Sequence, residues 1–238
     1  MNYSKTIITP IPFSKDKKHI TDHIQEGNKL TVEEFLSYLK QSHRLIGGNL
    51  LKEVLETCTK TNTNYLDLMK IDEIATLNAI ATAEGAIAEA VIKSLGNLHG
   101  SKGLVLGYGK TGKTISSKLK ALNVDVTVSA RDKTALTQAF VNGCNTLDIN
   151  LLKDEINEFD YIFNTIPSVI LTREMLLNIL PETTIIDIAS LPGGVDYEAA
   201  KELSINAHLC LGIPGKYAPL ASAEILFKEI SPLLKENI

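Results

Sequence analysis

Several classes of protein are excluded by what this sequence lacks. No apolar run reaches the ~20 residues that span a bilayer, because charge, Gly or Pro interrupts each within about 10. Residues 1–18 (MNYSKTIITPIPFSKDKK) hold no long apolar segment of the kind a signal peptide requires. There is no basic excess: 24 basic against 28 acidic side chains leave a net charge of −4. A nucleic-acid binder would show a basic stripe, so neither nucleic acid nor membrane is an expected partner. Cysteine is scarce, with three residues (Cys58, Cys144, Cys210) at no metal-binding spacing. Reduced thiols in the cytoplasm are expected, and no zinc site. None of the five histidines stands in a recognisable catalytic setting. His208 falls on a strand, and His19, His23, His43 and His99 read as surface or loop residues. Repeats and low-complexity tracts are absent too.

What is present is an ordinary globular balance, 44% apolar and 22% charged over 238 residues. That length fits one or two domains and buries a real core. Residues 6–12 (TIITPIP) predict a strand ending in a Pro-bounded turn. Thr31 and Glu34 have capping-box spacing, and Val32, Phe35, Leu36 and Leu39 follow as a helical stripe. Residues 43–49 predict a second strand, 50–58 a helix, 64–69 a third strand and 75–80 one more. From Thr82 an alanine-rich helix runs to about Leu95. Beyond it, residues 103–106, 124–128, 161–164, 184–188 and 207–211 predict strands, with helical patterns between most of them. A final helix covers about 221–235. Strands alternating with helices predict a parallel sheet covered on both faces. The expected fold is α/β: a Rossmann doubly wound sheet over residues 81–238, and a smaller α/β domain over 1–80.

The most informative segment is Gly107-Tyr-Gly109-Lys110-Thr111-Gly112-Lys113-Thr114. It matches two motifs. As G-x-G-x-x-G it is a dinucleotide fingerprint: Gly107 turns the chain, Gly109 admits the pyrophosphate, and Gly112 allows close helix packing. As G-x-x-x-x-G-K-T it is a Walker A loop, with Lys113 on phosphates and Thr114 on Mg²⁺; Asp187 would then serve as the Walker B carboxylate. Both put phosphate at a helix N-terminus. The dinucleotide reading is preferred, because about 20 residues on, where the ribose is read, stand Ser129, Ala130 and Arg131. An NAD enzyme usually has a carboxylate there. A guanidinium after a small residue suits the 2′-phosphate of NADP.

In such a sheet ligands sit beyond the carboxyl ends of the strands. Here those ends are Asn164-Thr165-Ile166-Pro167, Asp187-Ile-Ala189-Ser190-Leu191-Pro-Gly193-Gly194 and Gly212-Ile-Pro214-Gly215-Lys216. Gly, Pro, Asn and Asp are also ordinary turn formers, but three such loops on one sheet point to a site.

Taken together, these segments resemble a family. VLGYGKTGKTISSKLKALNVDVTVSARD, FNTIPSVILTREMLL, IIDIASLPGGVDYEAAKELSINA and LGIPGKYAPLASAEIL are similar to the dehydrogenase subunit of spore dipicolinate synthase. Residues 78–87 (NAIATAEGAI) resemble the start of its central helix. The likeness runs in order over about residues 65–238. It implies NADP-linked oxidation of a dihydro or hydroxylated ring precursor to pyridine-2,6-dicarboxylate. It also implies the mother cell of a sporulating bacterium and a flavoprotein partner subunit. Against that family the N-terminal domain reads as shortened by about one βαβ unit, on the order of 30 residues. An open sheet edge would follow, and with it a homodimer by pairing across that edge. Leu191 and Leu220 stand where many members carry cations, which leaves Lys216 as the cation for a dicarboxylate.

The chemistry expected is hydride transfer to the nicotinamide, with Glu84 or Asp187 as protein base and water as the alternative acceptor. Glu84 is expected at the start of a helix, facing the cleft. Lys216 and the amides of Gly193, Gly194 and Gly215 are expected to anchor substrate carboxylates, with hydroxyls from Thr9, Ser14, Thr82 and Ser190. The cofactor set is Gly107, Gly109, Lys110, Thr111, Gly112, Ser129, Ala130, Arg131, Asn164, Thr165, Ile166, Pro167, Ala189, Gly212 and Pro214. A non-catalytic NADP-binding subunit is the alternative of a different class, and a P-loop protein a third.

Overall fold

The computed structural model describes residues 5–21 and 29–235. His23 lies outside them. The chain divides into two compact units, Met1–Ala75 and Thr76–Ile238. In the first, strands β1 (Thr6–Ile8), β2 (Arg44–Gly47) and β3 (Asn64–Asp67) form a parallel sheet in that order, connected through helices α1 (Val32–Ser37) and α2 (Lys52–Thr61). Thr31 caps α1 as its spacing predicts, accepting from Glu34 N at 3.1 Å. Phe13, Phe35, Leu45 and Val54 anchor this unit's core.

Helix α3 (Asp72–Lys93) begins ten residues before the predicted Thr82 start and absorbs the strand expected at 75–80. The stretch Ala-Thr-Leu-Asn-Ala-Ile alternates like a strand, but two features favour the helix. Asp72 and Glu73 sit in its first turn, where carboxylates meet the positive end of the helix dipole. Alanine, the best helix former, then recurs along it, with Ala79, Ala83, Ala86 and Ala90 buried on the inner side. At 22 residues α3 is also long and apolar enough to cross a membrane by length and composition, unlike any run read from the sequence. Ala83, Ala86 and Ala90 instead belong to the core of the second unit.

That unit holds six parallel strands: β4 (Lys102–Leu106), β5 (Asp125–Ala130), β6 (Asn145–Asp148), β7 (Tyr161–Asn164), β8 (Thr184–Asp187) and β9 (Asn206–Leu209). Their spatial order is β6-β5-β4-β7-β8-β9. Counted within the unit this is 3-2-1-4-5-6, the dinucleotide-binding order, whose strand order reverses between β4 and β7. The connections carry α4 (Lys110–Ala121), α5 (Lys133–Val141), α6 (Leu152–Glu155), α7 (Arg173–Leu176) and α8 (Tyr197–Glu202), and α9 (Ile213–Tyr217) and α10 (Pro219–Lys235) follow β9. Separate apolar clusters cover the two faces. One joins Ala86, Ile115, Leu119 and Ala139 to Val105, Val128 and Phe163; the other joins Leu152, Ile156, Leu176 and Ala199 to Leu104, Leu106 and Ile185. Edge strand β6 went unpredicted: Asn145, Thr146 and Asp148 leave Leu147 as its one buried apolar residue.

Candidate functional site

Three residues, Gly107 to Gly109, separate β4 from α4. Two of the three fingerprint glycines have a steric reason within the protein. Gly107 has φ +91°, and a Cβ there would lie 2.5 Å from Thr165 Oγ1. A Cβ on Gly112 would lie 2.1 Å from the Gly107 carbonyl oxygen, so helix and turn touch backbone to backbone. Gly109, at the N-cap of α4 with ordinary φ −75°, is different, because a Cβ there would meet nothing within 4 Å. The described residues therefore give no packing reason for glycine at 109. Open space over a bare backbone at a helix N-terminus is what a pyrophosphate needs, since first-turn amides such as those of Lys110 and Thr111 have no intrahelical acceptors.

A residue the sequence reading passed over anchors this turn. Tyr108 is buried in the core, its OH accepts from Asn142 Nδ2 at 3.0 Å, and Lys113 Nζ stands 5.7 Å from its ring centroid. The Walker A reading fails here. Gly112 and Lys113 already belong to α4, Lys113 rests over Tyr108, and Thr114 Oγ1 donates to Lys110 O inside the helix at 2.9 Å. Asp187 has partners of its own, described below, and the strand order is that of a dinucleotide fold.

At the end of β5, Gly107 N donates to Ser129 O at 2.9 Å. Ser129 is fully buried and its Oγ has no hydrogen-bond partner among the described residues, an orphaned hydroxyl beside the glycine turn. Ala130 is buried and Arg131 exposed. Asp132, the first carboxylate after the strand, caps α5 by accepting from Thr134 N at 2.9 Å. An orphaned hydroxyl, an open glycine and a helix N-terminus together fit a nicotinamide dinucleotide. Ser129, Gly109 and the first turn of α4 would hold its ribose and phosphates.

The loops after β7 and β8 are locked around Asp187. This carboxylate is wholly buried and accepts four hydrogen bonds: from Asn164 Nδ2 (2.7 Å), Gly194 N (2.7 Å), Tyr197 OH (2.8 Å) and Ala189 N (3.1 Å). Four donors fill the acceptor capacity of a carboxylate. Asp187 is therefore a structural hub rather than an available base. Burial and the Asp187 charge push the Tyr197 hydroxyl far above its ordinary pKa. Asn164 also bonds Ile166, its Nδ2 to the carbonyl (3.0 Å) and its Oδ1 to the amide (3.1 Å). Thr165 Oγ1 donates to Leu106 O at 2.8 Å. The structure thus brings Asn164, Thr165 and Ile166 beside the glycine turn, with Ala189 and Gly194 on the same network; Pro167 is exposed.

Other expectations change. Glu84 is not at a helix start: it lies mid-α3, exposed, and pairs with Lys118 Nζ at 2.8 Å. The Gly194 amide is committed to Asp187, and the Gly193 amide donates to Ser190 O at 2.9 Å, so neither is available to a substrate. Ser190 and Gly215 are exposed, Gly212 takes the left-handed N-cap of α9 (φ +66°), and Pro214 follows. Thr82 Oγ1 donates to Asn78 O. In the other unit, Thr9 Oγ1 donates to Ile46 O and Ser14 Oγ to Asp16. Lys216 Nζ meets the buried carboxylate of Glu89 at 2.5 Å, and Lys93 Nζ approaches the same group at 3.6 Å. The lysine hydrogen bond holds the Glu89 carboxyl below its usual range against the opposing effect of burial. Glu89 had a readable signal, being an acid among the buried alanines of α3, and such a position demands a cation.

Among known proteins, residues 87–208 match the shikimate / quinate 5-dehydrogenase family. The dipicolinate synthase A subunit of Bacillus subtilis is 36% identical over 196 residues, 82% of this chain and 66% of that protein. This chain thus spans just under two thirds of that relative's length. The crystal structure of the same B. subtilis protein superposes with a TM-score of 0.86 at 30% identity, over 98% of this chain and 78% of that one. That of the A subunit from Bacillus halodurans superposes with a TM-score of 0.88 at 31% identity, over 98% and 80%.

Proposed function

The chain belongs to the family of dipicolinate synthase A subunits, and from that premise we propose that it carries out the NADP-dependent oxidation of a dihydro or hydroxy-tetrahydro precursor to dipicolinate. The observation that carries the cofactor half is the open space over Gly109 at the N-terminus of α4. The 2′-phosphate pairs with Arg131. Asp132, bound to its own helix, does not compete for the ribose.

NADP⁺, when bound, supplies the acceptor for one hydride from a ring carbon. The protein's share is to hold, orient and exclude. The Asp187 hub keeps the loops after β7 and β8 rigid around the reacting region. The ring also loses a proton, which passes to water, since Glu84 and Asp187 both have partners within the chain; a hydroxy-tetrahydro precursor loses its hydroxyl as one molecule of water in addition. Lys216, whose side chain stays 61% exposed despite its pairing, swings to a substrate carboxylate, and the exposed Gly215 and Ser190 offer an amide and a hydroxyl as further donors. The partner is the flavoprotein subunit of the same synthase, and the place of action the cytoplasm of a sporulating cell.

One observation favours a second reading, a subunit that binds NADP without turnover: Glu84, Asp187 and Lys216 are all engaged within the chain. Calorimetry with NADP⁺ and NAD⁺, followed by turnover of freshly made dihydrodipicolinate read as NADPH absorbance, separates the two. Binding with turnover supports the enzyme. Binding without turnover, with and without the partner subunit, supports the second reading. Failure to bind either nucleotide refutes both.

A further inference from the structure

A groove of about 350 Å³ runs along the open edge of the six-stranded sheet. Residues 207–211, the main chain of β9 and its continuation, line it without a break. Helix α3 flanks it with Glu89 and Lys93, α8 with Tyr197, and α9 with Lys216. The flanks come from opposite faces of the sheet: Ala86 and Ala90 of α3 pack in one core cluster, and Tyr197 packs against the other. The groove therefore lies in the plane of the sheet, where a seventh strand would sit.

The main chain is oriented for one. Cys210 N donates to Asp187 O at 2.7 Å, so the even-numbered peptide groups turn towards β8. Alternate residues of a strand face opposite ways, and Leu209 accordingly presents its N–H and C=O to the groove. Sheet edges are commonly guarded by lysines extended over the backbone. The two lysines here are drawn aside instead, both onto the buried carboxylate of Glu89. Together the three groups carry one net positive charge. His208 adds none, because burial and the Lys93 charge lower its pKa; its Nε2 donates to Asn206 Oδ1 at 2.7 Å, in keeping with the neutral ring.

We propose that this groove accepts an extended, acidic segment of a partner protein, added to β9 as a seventh strand. Main-chain hydrogen bonds to Leu209 supply the affinity, and a carboxylate shared between Lys93 and Lys216 supplies the preference for acidic side chains. The groove lies at the far edge from the β4–β7 reversal and shares only Lys216 with the dehydrogenase reading, so the Leu209 main chain and Lys93 carry the part that stands apart from it.

The test uses the full chain, ¹⁵N-labelled, and two capped heptapeptides, one alternating Val and Glu, the other Val and Lys. The Val/Glu peptide is expected to shift the amides of residues 207–211 and to weaken several-fold between about 50 and about 200 mM salt. Lys93→Gln, which leaves the Lys216–Glu89 pair in place, is expected to weaken it about threefold to tenfold. The double change Lys93→Gln with Lys216→Gln abolishes the preference over Val/Lys, with circular dichroism as the check on folding. Equal binding of both peptides, shifts confined to other residues, or no binding at millimolar peptide would overturn the proposal. So would self-association that shifts the same amides on concentration, which would assign the edge to a second copy.

Discussion

Gly109→Ala separates a glycine kept for folding from one kept for a ligand. The added methyl meets nothing within 4 Å, and the backbone at φ −75° is open to alanine. Two small effects on stability oppose each other. Alanine restricts the unfolded chain, worth about 0.4–1 kcal/mol in favour. Alanine is also a poorer N-cap than glycine, by roughly 0.5–1 kcal/mol. The net is within about 0.5 kcal/mol, or a Tm shift of no more than about 2 °C for a chain of this size. Binding behaves otherwise. A methyl in the space where a pyrophosphate touches the backbone costs about 1–3 kcal/mol as an overpacked contact. That is roughly 5- to 150-fold in Kd. Gly112→Ala is the contrast, because its methyl would stand 2.1 Å from a carbonyl oxygen that cannot yield. It should lower Tm by several degrees through the same overpacking, before any ligand is added. The assay pairs scanning calorimetry of the free proteins with titration calorimetry of NADP⁺. Unchanged NADP⁺ affinity in a stable Gly109→Ala protein would refute the reasoning, because the open space would then not be where the phosphates lie.

Three further outcomes are expected. Arg131→Ala should weaken NADP⁺ by about 10- to 100-fold, the worth of a charge-assisted hydrogen bond, and leave NAD⁺ nearly untouched; equal losses for both would refute the 2′-phosphate role. Tyr197→Phe removes one of the four donors to the buried Asp187 and should cost about 1.5–3 kcal/mol in urea denaturation, whereas a base-like Asp187 would show a change in the pH profile of turnover and little loss of stability. Glu89→Gln should cost about 1 kcal/mol at pH 7, a value reduced because Lys216 is largely exposed. The Glu89 carboxyl is depressed in the folded state, so its contribution is full above the ordinary carboxylate range near 4.3 and fades as pH falls through the folded value. The gap between wild type and variant should therefore narrow as pH falls; a gap that stays constant into acid would contradict the ion pair.

Much of the second unit was legible because its signals are local. A strand followed at once by G-x-G-x-x-G, and a small–small–Arg strand end about 20 residues on, depend on turn sterics and chain spacing, which sequence records directly. The Thr31 cap was legible for the same reason. Where two local patterns coincide, sequence alone does not choose. Residues 75–80 alternate like a strand and are rich in alanine like a helix, and the helix prevails because Ala79 and Ala83 find a core to enter. The glycine loop satisfied two motifs until the strand order of the sheet, set by pairing between distant segments, excluded one of them.

The class of fold, the place of the glycine turn and the residues at the strand ends are written locally in the chain, because turn conformation, capping and alternation act over a few residues. What those residues are occupied with depends on the packing of segments far apart in the chain. Asp187, Gly193, Gly194 and Glu84 read as site residues from their positions, yet Asp187 is taken up by Tyr197, Asn164 and the amides of Ala189 and Gly194, Gly193 by Ser190, and Glu84 by Lys118. Lys216 turned out to face a carboxylate 127 residues away along the chain. Whether a polar group is free is settled by which donors and acceptors the fold brings within 3 Å of it, and no stretch of sequence carries that distance.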